Sequence, residues 1–138
     1  MKSIFVVVVV CCLGLLGCTN TDTQLKHING YWEIVSVTNT EGIVKTFTIN
    51  QTIDYIEIKG HKGFRKKLQP DLSGKYKTTE STEYIEVNSI ENQIVLSYTT
   101  PFSSWQEVVI SVTDDQLVVE NEAKTKYTYK RYQPLNLQ

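Results

Sequence analysis

Two histidines, His27 and His61, and two close pairs of carboxylates, Asp114 with Asp115 and Asp54 with Glu57, are the side chains from which an active site would be assembled. The histidines stand in unrelated places, and neither has the spacing that would hold zinc or serve a serine or cysteine nucleophile. Paired carboxylates could act on glycosides or bind calcium. Asp114-Asp115, however, reads as a hairpin turn, and Asp54 and Glu57 alternate with apolar strand residues. No glycine-rich loop precedes a helix, so a phosphate cradle is not expected. The chain therefore reads as a non-enzyme with no resident cofactor or metal.

The thiols point to a different chemistry. Met1-Lys2 opens on a positive charge, and Ile4 to Leu16 is an apolar run of thirteen residues. That is shorter than the roughly 20 needed for a spanning helix, and with these flanks it reads as a secretory leader removed from the working protein. Its end, Leu15-Leu16-Gly17-Cys18, resembles the lipobox of bacterial lipoprotein precursors, with a small residue beside a thiol that can be alkylated. The resemblance implies a cut before Cys18, a thioether-linked lipid on Cys18, and palmitate-like acylation of the new amino terminus. Two or more acyl chains hold a protein on a membrane almost irreversibly. The expected address is the bacterial cell envelope, with the outer membrane as the expected bilayer. Whether the protein faces the periplasm or the surface stays open.

Without residues 1–17, which include Cys11 and Cys12, 121 residues remain, enough for one domain with a real core. The one cysteine left is the lipidated one, so no disulfide and no cysteine-held metal is expected. Thirteen basic and fifteen acidic residues then leave a net charge near −2, which does not favour nucleic acid. Residues 18–26 read as lipidated cysteine and polar tether, 27–133 as the folded domain, and 134–138 as a tail.

From Tyr31 onward, β-branched and aromatic residues alternate at short spacing, and turn residues recur every eight to twelve positions. No helix is expected. Strands are predicted over 32–38, 44–49, 53–59, 63–68, 74–77, 82–89, 93–99, 105–112, 117–121 and 125–132. Pairs such as Glu41-Gly42, Lys59-Gly60, Glu91-Asn92 and Asp114-Asp115 make the connections short, so strands adjacent in sequence become neighbours in an up-and-down antiparallel meander. Closing eight to ten strands into a β-barrel removes the exposed edges.

Leu25 to Trp32, with Gly30-x-Trp32 at the first strand, resembles the beginning of a lipocalin barrel, and Tyr127 to Tyr132 resembles its closing strand with Arg131 near the end. The resemblance implies that Arg131 lies across Trp32 at the closed base, a structural pair. Alternation then turns Trp32, Ile34 and Ser36 inward on the first strand and Tyr127, Tyr129 and Arg131 on the last. By apolar weight, Ile56 and Ile58, Ile94, Leu96 and Tyr98, Val108, Ile110 and Val112, and Leu117 and Val119 join them. Ile34, Ile56, Ile58, Leu96, Tyr98, Val108, Ile110, Tyr127 and Tyr129 are the expected lining for a small hydrophobic or amphipathic ligand. A rival reading is a filled barrel that contacts an envelope protein through an exposed Phe102 and Trp105. The dense cluster of His61, Lys62, Arg65, Lys66 and Lys67 reads either as a basic lip for an anionic ligand or headgroup, or as a solvated hairpin.

Overall fold

The computed structural model describes residues 21–134, apart from the side chains of Thr79 and Glu80. Helix α1 (Thr21–Ile28) is followed by β1 (Gly30–Thr38), β2 (Val44–Thr46), β3 (Ile53–Lys59), β4 (Lys62–Pro70) and β5 (Tyr76–Ile90). The chain continues through β6 (Gln93–Thr99), β7 (Ser104–Val112), β8 (Gln116–Asn121) and β9 (Lys126–Arg131). Every neighbouring pair is antiparallel, and β9 returns to pair with β1, so the sheet closes.

The barrel wall has eight strands because β2 and β3 are two halves of one. Both run antiparallel to β1 along the edge opposite β9: β2 beside Ser36–Thr38, β3 beside Gly30–Trp32. The 47–52 break between them stays attached to β1. The Phe47 N–H donates to the Val35 carbonyl (2.8 Å), and the Asn50 side chain donates to the Ile34 carbonyl (3.0 Å) and to Glu33 (3.1 Å). The predicted strand over 44–49 is thus only Val44–Thr46, while the predicted segment 82–89 and the second half of 74–77 belong to one long β5.

Two bulges overturn the simple alternation. One between Ile34 and Ser36 sets Val37 opposite Tyr127 and leaves Ser36, expected inside, opposite Thr128. Another, between Val109 and Ser111, adds a residue to β7 so that Val109 and Val112 both pack on the core, while Ile110, next to the inward Val109, is 44% exposed. An extra residue flips every side chain beyond it to the other face.

The core fills the closed half of the barrel. Trp32, Ile56, Ile58, Ile85, Val87, Ile94, Leu96, Tyr98, Leu117, Val119 and Tyr129 are buried together, joined from outside the wall by Leu25 and Ile28 of α1. The expectation of no helix, with a tether running to Lys26, is corrected here: α1 covers the closed end and packs against β3 and β7. Eight mostly polar residues have little helix strength of their own; docking Leu25 and Ile28, three apart on one face, holds them. Asp22 in the first turn and Lys26 and His27 in the last also suit the helix dipole.

The turns at residues 60–61, 91–92 and 113–115 lie at this closed end and those at 39–43, 100–103 and 122–125 at the open end, while the 71–75 turn folds back over the outer wall beside Glu33, Lys130 and Tyr132. Outside the wall, Tyr31 sits 4.8 Å from Tyr55 and stacks on Tyr76 at 5.1 Å, which lays the β4–β5 hairpin against the outer face of β1. The lipobox, Cys18 and residues 135–138 lie outside the described residues.

Candidate ligand site at the open end of the barrel

At the base, the Arg131 guanidinium lies 3.8 Å from the centre of the Trp32 ring. Its Nε donates to the Asp114 carbonyl (2.7 Å), Nη1 to Asn29 (2.7 Å) and Nη2 to His27 (2.8 Å), while Trp32 Nε1 donates to Ile28 (2.7 Å). One planar fork thus ties α1, the β7–β8 turn and β9 together over an indole face. Gly30 makes room for it: its φ is +124°, and a Cβ there would stand 2.7 Å from Arg131 Nη1. Burial weighs against the Arg131 charge and lowers its pKa, with Asp114 and Asp115 opposing.

Higher in the barrel, three charged residues are buried: Asp54, Arg65 and Glu107. Arg65 lies 4.3 Å from the Tyr98 ring centre, its Nε donates to Glu83, and its Nη1 stands 3.7 Å from Glu107 Oε2. Burial opposes the Arg65 charge, but Tyr98, Glu107 and Asp54 around it outweigh that and keep it protonated far above neutral pH. Burial likewise pushes the Tyr98 and Tyr129 hydroxyls upward, so both remain neutral donors. Glu107 Oε2 is buried and, among the described residues, has no hydrogen-bond partner. It lines an internal space of about 10 Å³ shared with Asp54, Arg65, Tyr98 and Tyr129, room for about one water.

Burial also raises the Glu107 pKa, with Arg65 pulling the other way. A carboxyl that holds its proton more tightly folded than unfolded makes stability fall as pH rises, from its unfolded pKa of about 4.3 up through its raised folded value. Glu107→Gln is expected to remove that fall. In urea titrations the two proteins should converge in acid, with the variant the more stable above that window; parallel pH curves would refute the assignment.

At the open end the wall leaves a cavity of about 230 Å³, open to solvent and lined by Trp32, Ile34, Val37, Phe47, Thr52, Asp54, Lys67, Tyr127 and Tyr129. The β2–β3 break supplies Phe47 and Thr52, and the β1 bulge supplies Val37. Lys67 reaches in from β4 and donates to Asp54 at 2.9 Å. The site is therefore a greasy cup with phenol hydroxyls and one ion pair, suited to noncovalent capture of a small amphipathic molecule.

Of the expected lining residues, Ile34, Tyr127 and Tyr129 face this cup, and Ile56, Tyr98 and Tyr129 border the one-water space below. Ile58 and Leu96 are packed into the core. Val108 and Ile110 are not lining residues. The inward face of β7 is Trp105, Glu107 and Val109, since Trp105 pairs with Tyr98 and Glu107 with Leu96. Apolar weight chose the wrong parity because the buried carboxylate follows Arg65 rather than hydrophobicity. Trp105, which the rival reading needs at the surface, stacks on Tyr98 at 5.3 Å, whereas Phe102 is 96% exposed.

The basic cluster does not form a lip. His61 and Lys62 are at the closed-end turn, Arg65 is inside, Lys66 lies outside over Phe64, and Lys67 is in the cup. Sequence reasoning missed Arg65, Glu107 and Asp54 as interior groups. The signal for Asp54 was present, since it shares a strand face with Ile56 and Ile58.

A closed eight-stranded antiparallel barrel with a helix across its base and a cup at its mouth defines a lipocalin-type protein. Residues 28–119 match the lipocalin-like domain family, and the chain belongs to it. Its fold is similar to that of a lipocalin-like protein from Bacteroides uniformis, with a TM-score of 0.51 and 12% identity over 77% of this chain and 99% of that one. It is also similar to apocrustacyanin C1, with a TM-score of 0.51 and 10% identity over 87% of this chain and 68% of that one. No curated protein matches the chain in sequence.

Proposed function

We propose that this chain is a non-catalytic lipoprotein of a bacterial envelope that binds or shields a small amphipathic molecule in the open-end cup. Residues 1–17 are its leader, and lipid on Cys18 anchors it to the membrane. The observation that carries the binding reading is the cup itself: about 230 Å³, mostly apolar, with the Asp54–Lys67 pair on one wall. Membership of a family known for small hydrophobic ligands supports it. The volume lies below the roughly 300–1,000 Å³ of drug-sized sites, so the ligand is metabolite-sized or the end of a longer chain. It sits at the mouth, because the depth of the barrel has room for about one water.

Ile34→Trp tests this by filling the cup. Anilinonaphthalene sulfonate serves as the probe. The variant should bind it at least about tenfold more weakly, equivalent to about 1.4 kcal/mol, with an unchanged circular dichroism spectrum. Equal binding by both proteins would refute the cup as the site.

The near-solid depth of the barrel and the exposed Phe102 favour a second reading, an interaction module that contacts another envelope protein. Under it, Phe102→Ser abolishes partner capture and Ile34→Trp has no effect on function.

A further inference from the structure

We propose that the closed end of the barrel rests on the bilayer, basic corner down, and that the cup opens away from the membrane that anchors the protein. This rests on the lipidation of Cys18 proposed above.

The reach of the chain is the first argument. Only three residue steps, spanning at most about 11 Å, separate Cys18 from Thr21, where α1 begins. α1 is held on the closed end by the buried Leu25 and Ile28 and by the Ile28 and His27 carbonyls, which accept from Trp32 and Arg131, and its first turn borders a groove with Asn29, Ile58 and Gly60. The anchor therefore emerges at the base, on the side of the β3–β4 turn. The cup lies a strand length away: the nine residues of β7 run from the open-end turn to the closed end. At about 3.4 Å per residue and a tilt of about 40°, that is a height of about 20–25 Å.

Charge is the second argument. The corner beside the anchor carries the exposed Lys26, Lys59, His61 and Lys62, with Asp22 in the same groove as Lys26, Glu57 3.5 Å from Lys59 and Glu86 opposite Lys62. Across the same end stand the exposed acids Glu91, Asp115 and Asp114, the last 2.8 Å from His27 of α1, with no lysine or arginine on those two turns. The cations at the turns of this end thus lie on one side, so an anionic leaflet draws that side down and repels the other. Ligand then reaches the cup from the aqueous side, and Phe102 in the β6–β7 turn projects away from the lipid.

The test uses the mature, lipidated protein, residues 18–138, in vesicles of phosphatidylethanolamine and phosphatidylglycerol carrying a headgroup-linked fluorescence acceptor. His61→Cys and Phe102→Cys each supply one labelling site on an exposed turn, because the Cys18 sulfur is already bonded to lipid. Transfer to the acceptor should be several-fold stronger from position 61 than from position 102. Equal or reversed transfer overturns the orientation. Adding Lys59→Glu and Lys62→Glu should narrow the difference on anionic vesicles but not on neutral ones; no change overturns the role of the basic corner. Mass spectrometry of the amino terminus separates the two layers. A chain without lipid overturns the anchorage and the orientation together, whereas a lipidated chain with reversed transfer overturns the orientation alone and leaves ligand binding standing.

Discussion

Replacing Arg65 by methionine is expected to destabilise the barrel by about 3–5 kcal/mol, measured as the change in unfolding free energy in urea. The guanidinium is the shared partner of Glu83 and Glu107, and its side chain is only 10% exposed. Methionine fills much of the volume but leaves Glu107 buried with no cation near it, and Asp54 with only Lys67. The cost comes from orphaned charge rather than from a cavity, so it should be recoverable. A variant carrying Arg65→Met with Glu83→Leu and Glu107→Leu should regain most of the loss, because apolar residues of similar volume can replace a buried ion cluster without penalty. Arg65→Lys should fall between, since a single ammonium cannot reach Glu83, Glu107 and the Tyr98 ring together. A loss below about 1 kcal/mol in Arg65→Met would mean that the cluster is solvated as an exposed pair is.

The second large effect is at the base. Trp32 is fully buried, and Trp32→Ala should cost about 3–5 kcal/mol through the cavity it leaves. The loss has a visible route. Without the indole, Arg131 loses its platform, the Ile28 carbonyl loses its donor, and α1 has less to dock on. Amide exchange in α1 should therefore accelerate more than in β5 or β6. Trp32→Phe keeps a ring under Arg131 but not the N–H and should cost far less. Uniform acceleration across the sheet in Trp32→Ala would show that the residue is ordinary core and that the base is not a distinct unit.

The strand pattern was largely legible in the chain because alternation and short turns are local properties. β3, β6 and β8 fall close to their expected bounds, and the meander closes as predicted. The contact between Trp32 and Arg131 was reached through resemblance, and Gly30 shows its physical side, since only a glycine leaves space at that φ for the guanidinium. Three things were not legible. Bulges carry no reliable residue signature, so Ser36 was placed on the wrong face; Ile110 went there with Val108 because apolar weight chose the wrong parity for β7. The helix over Thr21–Ile28 exists because a barrel end is there to receive Leu25 and Ile28, a tertiary cause invisible to propensity. Glu107 looked like a surface residue because the cation that draws it inward, Arg65, lies far away in sequence and belongs to a run that reads as a solvated hairpin.

The cup was only half foreseen. Ile34, Tyr127 and Tyr129 follow from alternation on β1 and β9. Phe47, Thr52 and Lys67 do not, because they depend on the break between β2 and β3 and on the return of β4. Both the ligand reading and its limit come from that architecture: α1 and the packed core close the lower half, and the interrupted strand opens the upper half.

Native mass spectrometry of the protein released from the membranes of its own host decides whether the cup carries a ligand. A binding protein shows a mass that exceeds the lipidated polypeptide by one small molecule, which is lost on activation and missing from Ile34→Trp prepared in the same way. A wild-type spectrum showing the lipidated polypeptide alone, identical to that of the variant apart from the substitution, would contradict the binding reading.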